Sequence, residues 1–263
     1  MIRLVIKVGT KILTTANGHL DHGNMAALVA QICQIKAKYS CQVILVSSGA
    51  IISGSEVLGI QPNSVPEEQA TAAVGQVLLM TEYHQLFANH SQQIAQILVS
   101  KDGLEDLDRR KNALNTINTL LEYGVIPIIN ENDTVSIDEI QFGDNDVLAS
   151  LISHLIDAQT LILLTDQNGV YSSDPTQHSS AELLTKITSI TDDLIDQTSG
   201  KVPHRGRGGI RSKLTSARFA QNHGINVVIA NGRQTNVLVD ILDDRPVGTR
   251  IYGKGVQNDH DQS

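Results

Sequence analysis

Short apolar runs rich in β-branched residues alternate along this chain with longer segments in which apolar positions recur every three or four residues. The short runs predict buried strands at Ile2–Val8, Gln42–Val46, Ile94–Val99, Val125–Ile129, Thr160–Leu164 and Asn226–Ala230. The longer segments predict helices at Asp21–Tyr39, Glu67–Ala88, Asp108–Tyr123, Val147–Ala158, Arg207–His223 and Thr235–Leu242. This alternation predicts an α/β fold with a mostly parallel central sheet covered by helices on both faces.

The strand Val125–Ile129 is followed by the most distinctive polar pattern in the chain. It passes directly into Asn130–Asp133, and a short linker then leads to Gly143–Asp146. Ligands of open α/β sheets bind beyond the carboxyl ends of such strands. Asparagine and aspartate side chains there offer donors and acceptors, which suits a small ligand with an amino group and a carboxylate. Each cluster alone is typical of a turn, but two clusters around one insert favour a binding site.

Composition narrows the class of protein. Of the 263 residues, 41% are hydrophobic but only 3% are aromatic, so the core must consist mainly of aliphatic side chains. The net charge of −8 argues against general affinity for nucleic acid or anionic membranes. Cys33 and Cys41 are too few for a disulfide framework, which favours a reducing compartment. We therefore expect a cytoplasmic protein that binds neither nucleic acid nor membrane.

The ends of the sequence add expectations about its organisation. The N-terminal apolar run is short and interrupted by Lys7, unlike a signal peptide. No segment approaches the ~18 apolar residues that a membrane-spanning helix needs. Because the composition does not change sharply anywhere, we expect one domain over residues 1–252 and a polar tail over residues 253–263.

Two segments in the first half are candidate anion-binding sites. Lys7 lies inside an apolar strand, which is costly unless its ammonium group reaches an anion or water at the strand end. Gly9 would let a ligand approach the backbone closely. Ser47–Ala50 lies between a strand and a helix, where small residues leave helix N–H groups open to an anion. The alternative for Lys7 is a lysine at a sheet edge. A plain helix cap by Ser47 or Ser48 is the simpler interpretation of the second segment, and it is compatible with anion binding by the backbone.

Two segments in the second half are candidate nucleotide contacts. Arg205–Lys213 combines glycines with cations, as a phosphate-binding loop requires. It lacks the GxxxxGK[ST] motif and fails GxGxxG at Arg211, so a solvated basic loop is an equally good interpretation. Thr165–Asp166 ends a buried strand, where it could meet a ribose or metal-bound phosphates, beside a turn at Asn168–Gly169.

Other enzyme classes are less well supported. The sequence contains no cluster of Cys and His at the spacing of a metal site. The nine histidines are scattered, and none is assigned to chemistry. A serine hydrolase triad would need a histidine and an acid near Ser48, and phosphoryl transfer is the better interpretation.

Seven stretches, taken in order, carry a resemblance to a known family. They are VIKVGTKIL, VILVSSGAI, AAVGQ, GVIPIINENDTV, GDNDVLAS, LILLTDQNGVYSSDP and GGIRSK. Together they extend over nearly the whole chain, which resembles the amino acid kinase family, most specifically through INEND followed by GDND. The resemblance implies a three-layer α/β sandwich. It also implies transfer of the γ-phosphoryl group of ATP, with Mg²⁺, to the side-chain carboxylate of L-glutamate, which begins proline biosynthesis.

The resemblance further implies roles for individual residues. Lys7 and Lys213 resemble the cations that contact the transferred phosphoryl group, and Asp146 resembles the acid that orients them. The residues that resemble a glutamate site are Ser48, Gly49, Ala50, Asp133 and Asn145. Those that resemble a nucleotide site are Lys7, Thr165, Asp166, Arg207, Gly208, Gly209, Ile210, Arg211, Ser212 and Lys213. The N-terminal half would then bind the acceptor and the C-terminal half the nucleotide.

The chain departs from the family pattern at several positions. Arg207 replaces a small hydroxyl residue, and Ser100–Lys101 stands where family members often carry a Thr–Arg pair. Only a short tail follows Arg250, so we expect a short form without the RNA-binding-like domain of many bacterial relatives. The resemblance also implies a homodimer or homotetramer and feedback inhibition by proline, while the metal ligands stay open.

Three functional hypotheses follow. The first is an active kinase of L-glutamate, favoured by the joint presence of Lys7, Asp146 and Lys213. The second is a kinase of the same fold that acts on another small acid such as aspartate, because pocket length cannot be read from sequence. The third is a regulator that binds a nucleotide or an amino acid without turnover, because of the altered loop at Arg207.

Overall fold

The computed structural model describes residues 1–135, 145–199 and 209–255. The strands in these ranges are β1 (Arg3–Val8), β2 (Gln42–Ser47), β3 (Ile94–Val99), β4 (Ile126–Glu131), β5 (Thr160–Thr165), β6 (Val170–Tyr171), β7 (Leu183–Leu184), β8 (Lys186–Ile187), β9 (Asn226–Asn231) and β10 (Thr249–Ile251). The helices are α1 (Thr10–Leu13), α2 (His22–Tyr39), α3 (Ala50–Leu58), α4 (Val65–Ala88), α5 (Lys101–Glu105), α6 (Leu107–Glu122), α7 (Asn145–Leu155), α8 (Asp192–Ser199), α9 (Ile210–Asn222) and α10 (Val237–Leu242).

The strands form a central sheet in the order β3–β4–β2–β1–β5–β9–β10–β8, with β6 and β7 in a separate antiparallel pair. From β3 to β9 all neighbours are parallel, whereas β10 runs antiparallel to β9. The chain leaves β1 for β2 on one side and later adds β5 on the other side, so the strand order changes direction at β1. A crevice forms at the carboxyl ends of strands beside such a point.

Alternate residues of each strand pack into different layers of helices. Leu4, Ile6 and Val8 of β1 belong to a core shared with α2, α4 and α10, whereas Val5 belongs to a second core shared with α6, α7 and α9. Because side chains alternate across a strand, Lys7 points to the same face as Val5. The arrangement confirms the predicted three-layer α/β sandwich with a mostly parallel sheet.

The six predicted strands are present, each within one or two residues of its predicted ends. The helix predicted from Glu67 begins at Val65, so that Pro66 lies in the first turn of α4, where a missing N–H is tolerated. The helix predicted from Val147 begins at Asn145, which brings Asp146 into its first turn. The short elements α1, α5, β6, β7, β8 and β10 contain too few residues to show a periodicity and have no counterpart in the sequence prediction.

Candidate active site

A cleft of about 400 Å³ opens at the carboxyl ends of the central strands. It is lined by the ends of β1, β2, β4 and β5 and by the first residues of α3 and α9. These strands are apolar along most of their length and then change to Gly, Ser, Asn or Thr, so polar groups collect at one edge of the sheet. The cleft lies where the topology predicts a ligand.

A buried ion triad (Lys7, Asp146 and Lys213) lies at the base of the cleft, and both lysines line it. Asp146 Oδ1 is 2.7 Å from Lys7 Nζ, and Lys213 Nζ donates to Asp146 Oδ2 at 3.0 Å. The Asp146 side chain is fully buried, and those of Lys7 and Lys213 are 4% and 6% exposed. Burial alone would raise the pKa of Asp146, but the two ammonium groups hold that pKa below its ordinary value. The carboxylate therefore stays ionised and holds both cations.

Three elements supply the ion triad. Lys7 is near the end of β1, Asp146 lies in the first turn of α7, and Lys213 lies near the start of α9, which packs against α7. The dipole of α7 also favours a carboxylate in its first turn. A single buried charge would be costly, so each of these charges needs an opposite charge beside it. The group presents one net positive charge to the cleft.

At one end of the cleft, amide and hydroxyl groups are hydrogen bonded to one another. We call it the amide end and define it by Ser48, Asn130 and Asn145. Asn145 Nδ2 donates to Ser48 Oγ and to Asn130 Oδ1, both at 2.9 Å. It also lies 3.3 Å from the carbonyl oxygen of Ser47. Asn130 Oδ1 accepts a second hydrogen bond from the backbone N–H of Glu131. No described residue donates to Asn145 Oδ1, and Asn145 lines the cleft.

Helix α3 begins at the amide end without a side-chain cap. Its N-cap residue is Gly49, whose φ of 110° requires the conformational freedom of glycine. The alternative of a plain cap by Ser47 or Ser48 is wrong, because Ser48 Oγ accepts from the Asn145 amide and Ser47 Oγ is hydrogen bonded to a buried tyrosine of α4. The first N–H groups of α3, which lack intrahelical partners, border the cleft at Ala50.

The other end of the cleft, the outer end (Lys11, Thr165 and Asp166), is more exposed. Lys11 Nζ lies 3.1 Å from Asp166 Oδ2, and the Lys11 side chain is 79% exposed. Thr165 Oγ1 donates to Asp166 Oδ1 at 3.2 Å. Burial opposes ionisation of Asp166, but hydrogen bonding and attraction from Lys11 lower its pKa. Tyr171, residues 173–176 and the start of α9 complete this end.

The structure brings most of the predicted site residues to the cleft. Its lining includes Lys7, Ser48, Gly49, Ala50, Asp133, Asn145, Thr165, Asp166, Gly209, Ile210 and Lys213. Arg211 instead forms a surface ion pair with Asp196, and Ser212 Oγ is buried, so neither lines the cleft. Arg207 and Gly208 lie outside the described residues, as do residues 143 and 144 and residues 256–263 of the predicted tail.

Some lining residues have no counterpart in the sequence prediction. Lys11 and Thr198 are examples. Lys11 comes soon after Gly9, so the polar end of the first strand could have indicated it. Thr198 comes from α8, whose place depends on packing against α9, and no local pattern reveals that contact.

In the described part of the chain, no helix is both long and apolar enough to span a membrane. No group of three or more His, Cys, Asp or Glu side chains within those residues could hold a metal ion. In the cleft, Asp146 and Asp166 are paired with lysines.

Comparison with known proteins identifies relatives that match nearly the whole chain. The chain is 43% identical over 254 residues to a Glutamate 5-kinase from Dehalococcoides mccartyi, a match that covers 95% of this chain and 68% of the relative. It is 41% identical over 261 residues to a Glutamate 5-kinase from Clostridium perfringens, with 96% of each chain covered.

A solved structure and a family profile extend the comparison. Carbamate kinase from Giardia lamblia bound to AMP-PNP has a TM-score of 0.67 at 19% identity, covering 96% of this chain and 99% of its own. At that identity the likeness concerns the fold. The profile described as Amino acid kinase family matches residues 3–231. With that match and relatives above 40% identity along nearly its whole length, the chain belongs to the amino acid kinase family.

Proposed function

We propose that this protein transfers the γ-phosphoryl group of ATP to the side-chain carboxylate of L-glutamate, giving L-glutamyl 5-phosphate, the first step of proline biosynthesis. The observation that carries the proposal is the ion triad, which fixes Lys7 and Lys213 between an amide-rich end and an exposed end of one cleft. The relatives named Glutamate 5-kinase support this choice of acceptor.

The amide end is the proposed acceptor site. The ammonium group of L-glutamate needs hydrogen-bond acceptors, such as Asn145 Oδ1 and the carboxylate of Asp133. Its α-carboxylate needs donors, which the N–H groups at Gly49 and Ala50 can supply together with the dipole of α3. Ser48 holds Asn145 in place by accepting from its amide. The side-chain carboxylate then extends toward the ion triad.

The reaction joins two anions, so the protein must offset their charge. A carboxylate oxygen attacks the γ-phosphorus, a new P–O bond forms, and the bond to the leaving oxygen of ADP breaks. No general base is required, because the carboxylate is already ionised at neutral pH. Lys7 and Lys213 stabilise the charge that spreads over the transferring group. Asp146 is a positioning residue that keeps both ammonium groups directed at the cleft.

The outer end is the proposed nucleotide site. Thr165 ends β5 and Asp166 follows it, where they can meet the ribose or the phosphates. Gly209 and Ile210 bring the first N–H groups of α9 beside the phosphates. The proposal also assigns Arg207 and Gly208 to this site, as the family resemblance implies. Mg²⁺ would enter with ATP, held mainly by phosphate oxygens, since the described residues offer no cluster of ligands. When bound, it would offset the charge of the β- and γ-phosphates.

The proposal also covers the domain that binds the substrates, the cellular location, the oligomeric state and inhibition by proline. Both substrates bind to one domain over residues 1–252, the acceptor to its N-terminal half and the nucleotide to its C-terminal half. The free thiols of the two cysteines support a cytoplasmic location. The proposal also includes a homodimer or homotetramer and inhibition by proline at the amide end, because proline likewise presents an amino group and a carboxylate.

Two alternatives are less well supported. A kinase of the same fold that acts on another small acid, such as aspartate, would have an acceptor unlike that in the names of the relatives. A regulator without turnover has no need for two lysines held at 2.7 and 3.0 Å by one carboxylate. Such a buried arrangement is costly, so it indicates a use for both cations.

ADP release by the purified protein with Mg·ATP tests the proposal. The acceptors to compare are L-glutamate, L-aspartate, N-acetyl-L-glutamate and none. The expected result is selective stimulation by L-glutamate, with an acyl phosphate trapped by hydroxylamine. Stimulation by a different acid alone would favour the first alternative. ATP binding without stimulated release would favour the regulator.

A further inference from the structure

Gln76 of α4, at the end of the AAVGQ stretch, has no part in the proposed function described so far. Its side chain is 8% exposed, and its Oε1 accepts a 2.9 Å hydrogen bond from Asn130 Nδ2. Its Nε2 is buried and has no hydrogen-bond partner among the described residues. Burying an unpaired donor is costly. An apolar side chain of the same length would therefore suit this position better unless the bond to Asn130 matters.

The hydrogen bonds around Gln76 have only one consistent direction. The backbone N–H of Glu131 can only donate, so Asn130 must turn its Oδ1 toward that group. Asn130 Nδ2 then donates to Gln76 Oε1, and Asn130 Oδ1 also accepts a hydrogen bond from Asn145 Nδ2. Asn145 is thereby left with Oδ1 as the atom that can meet a ligand in the cleft.

We propose that Gln76 is a positioning residue for the acceptor, because through Asn130 it keeps Asn145 Oδ1 directed at the ammonium group of an α-amino acid. This inference rests on the proposed function and deepens it. It names the contact that distinguishes L-glutamate from glutarate, the same dicarboxylate without the ammonium group. Without Gln76, Asn130 loses the only bond that its Nδ2 makes within the described residues and is held through its Oδ1 alone, by the Glu131 N–H and Asn145, so its amide can turn more easily. A reversed Asn145 amide would then place N–H groups against an ammonium group, which is repulsive.

Gln76→Met tests the inference, because it removes both polar atoms and keeps the length of the side chain. The measurements are KM for L-glutamate, KM for ATP and the inhibition constant of glutarate as a competitor of L-glutamate. We expect KM for L-glutamate to rise about tenfold, with KM for ATP nearly unchanged, as for the loss of one hydrogen bond in the acceptor site. Because glutarate lacks the ammonium group, its inhibition constant should change little, so the preference for L-glutamate should fall by a similar factor.

Two further variants control this experiment. Gln85→Met makes the same change at an exposed position of the same helix and should leave all three constants unaltered. Gln76→Glu keeps an oxygen that accepts from Asn130 and should retain most of the preference for L-glutamate.

Three outcomes would overturn the inference. Equal weakening of L-glutamate and glutarate in Gln76→Met would show a purely structural role. Loss of the preference in a folded Gln76→Glu protein would show that the bond from Asn130 is not what matters, even if Gln76→Met fails to fold. Absence of turnover with L-glutamate in the unaltered protein would instead contradict the proposed function, and the inference with it.

Discussion

The two ends of the cleft hold their polar groups in different ways. At the amide end, Asn130 and Asn145 are 2% and 8% exposed and are hydrogen bonded to each other and to neighbouring elements. At the outer end, Lys11 is 79% exposed and pairs with Asp166 across 3.1 Å. Buried amides that bond to one another resist rotation, whereas an exposed ion pair contributes about 0–1 kcal/mol and rearranges easily.

This difference indicates where selectivity lies. A ligand at the amide end must match groups that cannot turn without leaving buried donors or acceptors unpaired. A ligand at the outer end meets side chains that can adjust to it. The ion triad lies between the two ends, and it determines the rate in the proposed reaction. We therefore expect substitutions to have large effects at the triad, acceptor-specific effects at the amide end and small effects at the outer end.

The largest effect is expected from Lys213→Ala. The remaining Asp146 and Lys7 form a neutral buried pair, so the fold should be retained. Turnover should fall roughly 10²- to 10³-fold, because a cation that stabilises the transferring group is lost. KM for L-glutamate should change little, since the bond from Lys213 to Asp146 belongs to the ion triad and the proposed acceptor contacts lie at the amide end. Steady-state kinetics with each substrate varied in turn measures both quantities.

Lys38→Ala provides the matched control for that experiment. Lys38 is a lysine on α2 that pairs with Asp243, and neither residue lines the cleft. Its removal should leave turnover unchanged. Near-normal turnover in Lys213→Ala would remove the role proposed for this lysine, and with it the idea that the triad separates two functionally different ends.

The next largest effect is expected from Gly75→Ala, which tests whether the amide end depends on the contact between α3 and α4. A Cβ at Gly75 would lie 1.8 Å from the carbonyl oxygen of Ala50. A backbone atom cannot move aside by changing rotamer, so α3 must shift together with the N–H groups that border the cleft. KM for L-glutamate should rise about 10- to 100-fold, with a much smaller change in KM for ATP.

Gly23→Ala is the control, because its Cβ would meet only the Asp21 side chain, at 3.7 Å. It should leave both KM values unaltered. The two KM values, measured on protein of known thermal stability, separate local displacement from general loss of structure. An equal rise in both for Gly75→Ala would mean that the two ends of the cleft are not independent.

Sequence reasoning predicted the strands and the polar residues at their ends, because both follow from local patterns. Lys7 is an example, since a lysine in an apolar strand is costly unless it reaches an anion or water at the strand end. Its partner Asp146 lies far along the chain and could be named only through the family resemblance. The bond from Asn130 to Gln76 could not be predicted, because it depends on how two distant segments pack together.

At the start of α9, helical periodicity could have separated the residues that line the cleft from those that face the surface. Ile210 and Lys213 are three residues apart and both line the cleft, whereas Arg211 is turned to the surface beside Asp196. Residues three apart share one face of a helix, and the next residue along does not. The family resemblance assigned the whole segment to the nucleotide site, but helical periodicity distinguishes its members.

A smaller effect, again specific to the acceptor, is expected from Asp133→Ala. Asp133 lines the cleft after β4 and is a proposed acceptor for the ammonium group. Loss of one hydrogen bond to a charged group should raise KM for L-glutamate about tenfold, with KM for ATP kept. Asp133→Asn, which retains an acceptor oxygen without the charge, should give an intermediate value. An unchanged L-glutamate titration in Asp133→Ala would remove this residue from the site.

The smallest effect is expected from Lys11→Ala at the outer end. Asp166 keeps its hydrogen bond from Thr165, and the lost ion pair is exposed, so KM for ATP should rise by no more than about fivefold. The difference from the unaltered protein should shrink further at high salt, which screens exposed charges. Kinetics at low and high ionic strength, with Lys213→Ala measured in parallel, provides the comparison. An equal loss of turnover in the two variants would contradict the proposed difference between the two ends. The buried lysine of the ion triad and the exposed lysine beside the nucleotide would then contribute equally to phosphoryl transfer.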